Sequence, residues 1–495
     1  MTDNNQPNHH WKTLDRDLGR IAALESATSY VSKPMVGLGI SLVFVVVASL
    51  IATLLFGEEN TRWIVVLAAA VGAYMALNIG ANDVANNMGP AVGAKALTMG
   101  GAILIAAIFE SAGALLAGGD VVSTISKGIV SPESVSGPGI FIWAMMAALL
   151  SSALWINLAT WVGAPVSTTH SIVGGVMGAG IAAAGFGAVN WPTMGSIAAS
   201  WVISPILGGV IAAAFLAFIK KFIIYQDDKI AAARRWVPVL VAIMAGAFAS
   251  YLSLKGLSKL VKIEMGNALL IGLGVAVLSY FLSAPVIKRK SIGLENRNRS
   301  LKVLFGLPLV ISAALLSFAH GANDVANAVG PLAAIVHAAE TGGEFAGKVH
   351  IPLWVMVIGA FGISVGLVLF GPKLIRMVGS QITKLNPMRA YCVALSAAIT
   401  VIVASWLGLP VSSTHIAVGG VFGVGFFREW HAERRARQFA GQRGPGKTRA
   451  PEERKRRKLV RRTHFMTILA AWVITVPASA VLSAVVFFGL EAAFG

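Results

Sequence analysis

The sequence predicts an all-α, polytopic membrane protein with inverted-topology repeats and two re-entrant helical hairpins. Three observations predict it. First, 56% of the 495 residues are hydrophobic and only 13% are charged, with a mean hydropathy of +0.74; a soluble chain carries about 25% charged residues. Second, the string Gly80-Ala81-Asn82-Asp83-Val84-Ala85-Asn86-Asn87-Met88-Gly89-Pro90 returns 241 positions later as Gly321-Ala322-Asn323-Asp324-Val325-Ala326-Asn327-Ala328-Val329-Gly330-Pro331, with nine of eleven residues identical. Third, two apolar blocks, 139–187 and 389–427, are each about twice a span and are interrupted by Gly-x-Pro-Val-Ser.

In chain order, residues 1–34 are polar with mixed charges and lack a signal peptide. The apolar run from Met35 then reads as an uncleaved helix, so 1–62 forms a cytoplasmic tail with an extra transmembrane helix. A first repeat follows over 63–235, linking helices over 236–302, and a second repeat over 303–495. Apolar stretches of spanning length lie at about 35–56, 63–82, 99–118, 194–219, 236–253, 266–286, 303–321, 352–371 and 464–490, each near the ~20 residues a helix needs. In the two double-length blocks, Gly163 to Ser167 and Gly408 to Ser412 place a proline before Ser and Thr. Proline removes a helical hydrogen bond and Ser or Thr caps a new helix, so each block reads as two arms meeting at a tip.

Loop charge sets the orientation. The stretches 220–235, 287–302, 373–389 and 428–462 are all basic and hold much of the net charge of +18, which places them in the cytoplasm. Both flanks of 389–427 are basic, so that block enters from the cytoplasm and returns there; 139–187 has charge-poor flanks and enters and returns outside. In this path the first Asn-Asp string ends an out-to-in helix and the second an in-to-out helix, the inverted plan of many secondary transporters. One stretch breaks the pattern: 254–264, with Lys255, Lys259 and Lys262, falls outside. The stretch 428–462 carries fourteen Lys and Arg against four Glu and reads as disordered. The single cysteine, Cys392, sits in an apolar run and reads as packing.

The tips repeat as well. Trp161-Val162-Gly163-Ala164-Pro165-Val166-Ser167-Thr168-Thr169-His170 is echoed by Trp406-Leu407-Gly408-Leu409-Pro410-Val411-Ser412-Ser413-Thr414-His415, at an offset of 245, and Gly-Gly-Val-x-Gly follows each. A helix starting inside the membrane presents free N–H groups and a partial positive charge, here among hydroxyl donors, which suits an oxyanion. Ser167, Thr168 and Thr169 would approach it from one side, and Ser412, Ser413 and Thr414 from the other. Neither tip holds Arg or Lys, so charge compensation must come from elsewhere.

Asp83 and Asp324 would repel an anion unless cations lie between. Carboxylate and carboxamide oxygens from Asp83, Asp324, Asn82, Asn323, Asn86 and Asn327 are hard ligands suited to sodium; alternatively the aspartates carry protons. Either way, anion and cation load together. Blander roles stand beside these. A membrane-embedded Asp can simply pair with a neighbouring helix, and Ser or Thr can bond back to its own helix. His170 and His415 read as buttresses of the helix starts. His320, whose counterpart is Ile79, reads as packing or a local polar contact. Glu110 has no acidic twin near Phe361-Gly362-Ile363 and is an ion ligand, a proton site or a buried partner for Lys95, itself read as an interfacial anchor.

At these residues the chain resembles the inorganic phosphate transporter (PiT) family, over roughly 63 to 490. The Gly-Ala-Asn-Asp-Val-Ala-Asn strings at 80–86 and 321–327 look like that family's duplicated signature, and Pro-Val-Ser-Thr-Thr-His at 165–170 with Pro-Val-Ser-Ser-Thr-His at 410–415 looks like its re-entrant tips. The resemblance implies phosphate uptake by symport with sodium or protons, no enzymatic activity, no organic cofactor and a homodimer. It also implies that Asp83, Asn86, Asp324 and Asn327 line the phosphate and cation sites while Ser167 to Thr169 and Ser412 to Thr414 hold phosphate. The segment before residue 60, and Asn87-Met88 in the first string, depart from the family's pattern. Sulfate permeases belong to the same family. Asn at 82 and 323, where some proton-coupled bacterial members have His, favours sodium. A multi-pass protein of a bacterial inner membrane with a cytoplasmic N-terminus is expected, in contact with lipid.

Two other classes compete. An intramembrane hydrolase would use a Ser and a His in contact, as Ser167 and His170 permit, yet it has no use for symmetric duplication. Nucleic-acid binding through 428–462 is disfavoured against a solvated loop drawn to anionic lipid.

Overall fold

A bilayer core offers no water to backbone N–H and C=O groups, so a spanning chain must satisfy them internally. The protein does this with helices. The structure, a computed structural model, describes residues 35–162, 166–256, 263–342, 349–381, 385–440 and 462–494, apart from the side chains of 377–381, 435–440 and 462–472. The polar tail 1–34, Gly163 to Pro165, Lys259, Lys262 and most of the basic stretch 441–461 lie outside the described residues. Among the described residues, eleven helices are long and apolar enough to cross a membrane, and every sequence-predicted span is helical.

The first described helix is α1 (Met35–Leu55), which packs on the bundle through Phe44, Val45, Ala48, Ile51 and Ala52, with Phe56 just beyond it, and leaves Leu42, Val43, Val46, Val47, Leu50 and Leu54 exposed. Next come α2 (Arg62–Gly93), α3 (Met99–Ala117), the short α4 (Gly119–Ser123), α5 (Pro138–Val162), α6 (Thr168–Ala184) and α7 (Trp191–Ile219). The pair α8 (Lys229–Lys255) and α9 (Met265–Lys290) pack on each other and lead through α10 (Asn298–Leu304) into α11 (Gly306–Asp324), α12 (Ala326–Thr341) and α13 (Leu353–Gln381). The chain closes with α14 (Pro387–Trp406), α15 (Ser413–Ala440) and α16 (Arg462–Phe494).

Small residues set the helix contacts, as expected where lipid tails leave no hydrophobic drive between helices. The contacts recur at matching positions of the two halves. A Cβ on Gly80 of α2 would strike the Ile363 carbonyl of α13, and one on Gly321 of α11 would strike the Glu110 carbonyl of α3. The Gly-Gly-Val-x-Gly runs act alike: Gly174 and Gly178 of α6 meet the carbonyls of Val476 and Ala480 on α16, while Gly419 and Gly423 of α15 meet those of Pro205 and Gly209 on α7. Each tip helix is therefore clasped by a helix from the other half.

The structure corrects two expectations. The first Asn-Asp string does not end a helix, since α2 runs unbroken through Gly80–Pro90 to Gly93; the second does end α11, at Asp324, but α12 resumes after the single residue Val325. Neighbouring helices bury both strings on all sides, so helix continues through each proline and only one hydrogen bond is lost. Pro90 and Pro331 deprive the carbonyls of Asn86 and Asn327, four residues earlier, of their usual donor. The basic stretch from 428 is helical as far as Ala440, because Glu, Ala and Arg there are strong helix formers. Lys255, in the stretch that breaks the charge pattern, has an acidic partner, with its Nζ 2.6 Å from Asp120 Oδ2 on α4.

Candidate functional site

The two tips start as the sequence predicts. Ser167 accepts a hydrogen bond from the N–H of His170 (3.1 Å), and Ser412 accepts one from the N–H of His415 (3.3 Å). Each serine thus caps the orphan donors of a helix start buried in the protein. Gly408, at φ +68°, supplies the left-handed turn before the second tip. The tips touch: the Thr169 hydroxyl donates to the Val411 carbonyl (3.0 Å), and the rings of His170 and His415 lie 4.4 Å apart.

Around this junction the hydrogen bonds come in twin pairs. Thr168 donates to Asp83 Oδ2 (2.8 Å), and its counterpart Ser413 donates to Asp324 Oδ2 (3.1 Å). Asn86 donates to Thr414 (2.7 Å), and Asn327 donates to Thr169 (3.2 Å) and Thr168 (3.2 Å), so each asparagine reaches the tip of the other half. Asn82 donates to Thr160 (2.9 Å) and Asn323 to Ser405 (3.0 Å), holding the arms that lead into the tips. Asn323 also accepts from the Val411 N–H (3.3 Å). Thr414 donates to Asp83 Oδ1 (3.1 Å), so this carboxylate binds both tips at once.

Asp83, Asn86, Asp324 and Asn327 therefore meet the hydroxyls of Thr168, Thr169, Ser413 and Thr414 in one buried place, while Ser167 and Ser412 are taken up by capping. Asn82 and Asn323 stand at its edge, steadying the arms. His170 and His415 stand behind it. The His170 Nδ1 is 2.6 Å from Ser167 Oγ, but the ring lies tilted against those of Trp201 (3.8 Å) and His415 rather than against a carboxylate.

Two residues change role. His320 is no packing histidine: its Nε2 is 2.8 Å from Asp324 Oδ2 and 3.8 Å from Asp83 Oδ2, and its Nδ1 is 3.3 Å from Glu110 Oε1. These are ion-pair distances; neither ring nitrogen is aligned for a hydrogen bond. Glu110, fully buried, accepts from Asn87 (2.8 Å) and has no contact with the exposed Lys95. Glu110 and His320 are both 0% exposed, and Asp83 and Asp324 1%. At the equivalent place in the other half stand Ile363 and Ile79, so the two-fold pattern is broken by one acid and one imidazole. The signal for His320 was its i,i+4 spacing to Asp324 on one helix face.

Three carboxylates thus face a single imidazole away from water. One atom each of Asp83, His320 and Asp324 lies within 4.8 Å of the others. Among the described residues, Asp324 Oδ1, Glu110 Oε2, Asn87 Oδ1 and Asn327 Oδ1 are buried acceptors with no donor. Buried carboxylates are costly unless paired, and hard oxygens with open lone pairs are what an alkali cation takes.

The profile of a family described as the phosphate transporter family matches residues 79–483. The chain belongs to that family. It is 53% identical over 427 residues to a predicted phosphate permease of Helicobacter pylori, covering 86% of this chain and 80% of that one. It is 37% identical over 425 residues to another from Pyrococcus abyssi, covering 85% and 96%. A solved sodium-dependent phosphate transporter superimposes with a TM-score of 0.77 at 35% identity, covering 87% of this chain and 99% of that one. The protein is accordingly a multi-pass membrane transporter and not an enzyme, which disposes of the hydrolase reading of Ser167 and His170.

Proposed function

We propose that the protein takes up inorganic phosphate by symport with sodium, loading anion and cations together where the two tips meet. One observation carries this reading: tip hydroxyls from both halves and oxygens without donors share one site with three carboxylates and a single imidazole. An anion cannot approach that charge unaccompanied, and cations cannot fill the site without leaving charge for an anion to balance. In this reading Asp83 and Asp324 hold cations, with Asn82, Asn323 and Glu110 in support. Thr168, Ser413 and Thr414 turn to phosphate once cations release them from the carboxylates, joined by the hydroxyls of Ser167, Thr169 and Ser412 and the amides of Asn86 and Asn327. The segments 139–187 and 389–427 act as re-entrant hairpins from opposite faces, in halves of inverted topology, with the basic loops in the cytoplasm of a bacterial cell. The matching hydrogen bonds of the two halves support this arrangement.

Proton coupling is the second reading, favoured by His320 standing among Asp83, Asp324 and Glu110. Radiolabelled phosphate uptake into reconstituted vesicles separates the two, with sodium and pH gradients varied independently and sulfate as competitor. Uptake that follows the sodium gradient and resists sulfate is expected. Uptake driven by a pH gradient in sodium-free buffer would replace sodium with protons, and full competition by sulfate would replace phosphate.

A further inference from the structure

Behind the tips lies a groove of about 960 Å³, walled by α7, α15 and α16 and ending inward on the rings of His170 and His415. Its walls are almost entirely carbon, with Pro205, Val210, Phe422 and Val476 among them. Trp201, also in the wall, donates its indole N–H to the Pro410 carbonyl (3.0 Å) and lies with its ring 3.8 Å from that of His170, so the wall is tied to both tips. Phe427 and Trp430, twelve and fifteen residues along α15 from His415, line the end away from the tips. Cations stand over both rings: Lys220 Nζ is 5.0 Å from the Phe427 centroid, and the Arg434 guanidinium is 5.4 Å from that of Trp430.

An apolar channel with cations over the aromatic rings at its end has the chemistry of one ligand, a hydrocarbon chain with an anionic head. A second copy of the chain fits less well, because a self-complementary contact through this face would bring a second set of the same cations to it. We propose that the groove holds an acyl chain of an anionic phospholipid, its phosphate at Lys220 and Arg434 and its chain end against His170 and His415. The bound lipid then props the backs of both serine-threonine tips. Transport would therefore depend on anionic lipid; that consequence, though not the binding itself, rests on the tips being the substrate site.

The test uses the full-length protein in phosphatidylcholine nanodiscs doped with a photoactivatable phosphatidylglycerol, with adducts mapped by mass spectrometry. Adducts should concentrate on 198–213 and 419–430 rather than on 269–282, the lipid-exposed face of α9. Unlabelled phosphatidylglycerol should compete about tenfold better than phosphatidylcholine. The double variant Lys220→Gln with Arg434→Gln should weaken labelling at least fivefold, since each basic residue contributes about fivefold in attraction for anionic lipid. Ala213→Phe, which fills the groove, should displace the adducts; the charge variants test the same site without altering its packing. Equal labelling of groove and α9, equal competition by the two lipids, or groove crosslinks from Phe426→Cys to a second copy would each overturn the proposal. Labelling is read without transport. A protein that labels in the groove but takes up no phosphate contradicts the symport reading alone, and one with normal uptake and no groove adducts contradicts the lipid site alone.

Discussion

Asp83→Asn removes charge from the site while nearly preserving its shape. In the structure Asp83 Oδ2 accepts from Thr168 at 2.8 Å and Oδ1 from Thr414 at 3.1 Å. The Asn oxygen keeps one of these bonds, and its amide can donate to the other hydroxyl with the direction reversed. What is lost is one unit of negative charge beside a bound cation. At about 4 Å and an effective dielectric of about 20, that interaction is worth at most ~4 kcal/mol. A loss of about 2–4 kcal/mol raises the sodium concentration for half-maximal uptake by about 30- to 1,000-fold. Asp324→Asn should shift it less, because Asp324 Oδ2 already lies 2.8 Å from His320 Nε2 and shares its charge with that ring. The assay is phosphate uptake into proteoliposomes across a sodium series, normalised to protein. A wild-type sodium midpoint and rate in Asp83→Asn would refute the assignment of a cation to this carboxylate.

Other perturbations follow from the same geometry. Asn86→Ala removes one bond to the opposite tip and Asn327→Ala two, so each should raise the KM for phosphate by about 5- to 30-fold, equivalent to about 1–2 kcal/mol; uptake kinetics showing one variant unaffected would break the functional equivalence of the halves. Gly321→Ala drives a methyl into the Glu110 carbonyl, at a cost of about 1–3 kcal/mol, and should lower the thermal midpoint in detergent; an unchanged midpoint would show that α3 can yield. If two sodium ions accompany a monovalent phosphate, one net positive charge crosses, worth about 2.3 kcal/mol per 100 mV. Accumulation should then rise about fifty-fold per 100 mV, inside negative, and a valinomycin-imposed potential without effect would rule that stoichiometry out.

The fold and most of the site were legible because polar residues are conspicuous in apolar spans. Asp83 and Asp324 stood out by duplication, and Ser167 and Ser412 by following proline, where a helix start needs a cap. His320 and Glu110 were less legible because each lacks a twin. A method that weighs duplication discounts residues facing Ile79 and Ile363 in the other half, although an unmatched acid and an unmatched histidine were themselves a clue that they meet. The continuation of α2 through Pro90 was hidden for another reason: whether a proline ends a membrane helix depends on what surrounds it, and that is tertiary information. The ion pair of Lys255 was not legible because its partner, Asp120, lies 135 positions away. The helix over 428–440 was missed because a basic segment of good helix formers remains helical when α15 already nucleates it.

The central claim is that anion and cation stabilise each other at the meeting point of the tips. Linkage makes this testable in the purified protein without transport: sodium must tighten phosphate binding by the same factor as phosphate tightens sodium binding. Isothermal titration of phosphate with and without sodium, and of sodium with and without phosphate, should give two equal factors of tenfold or more, both abolished in Asp83→Asn. Phosphate that binds equally well in sodium and in choline would contradict the account.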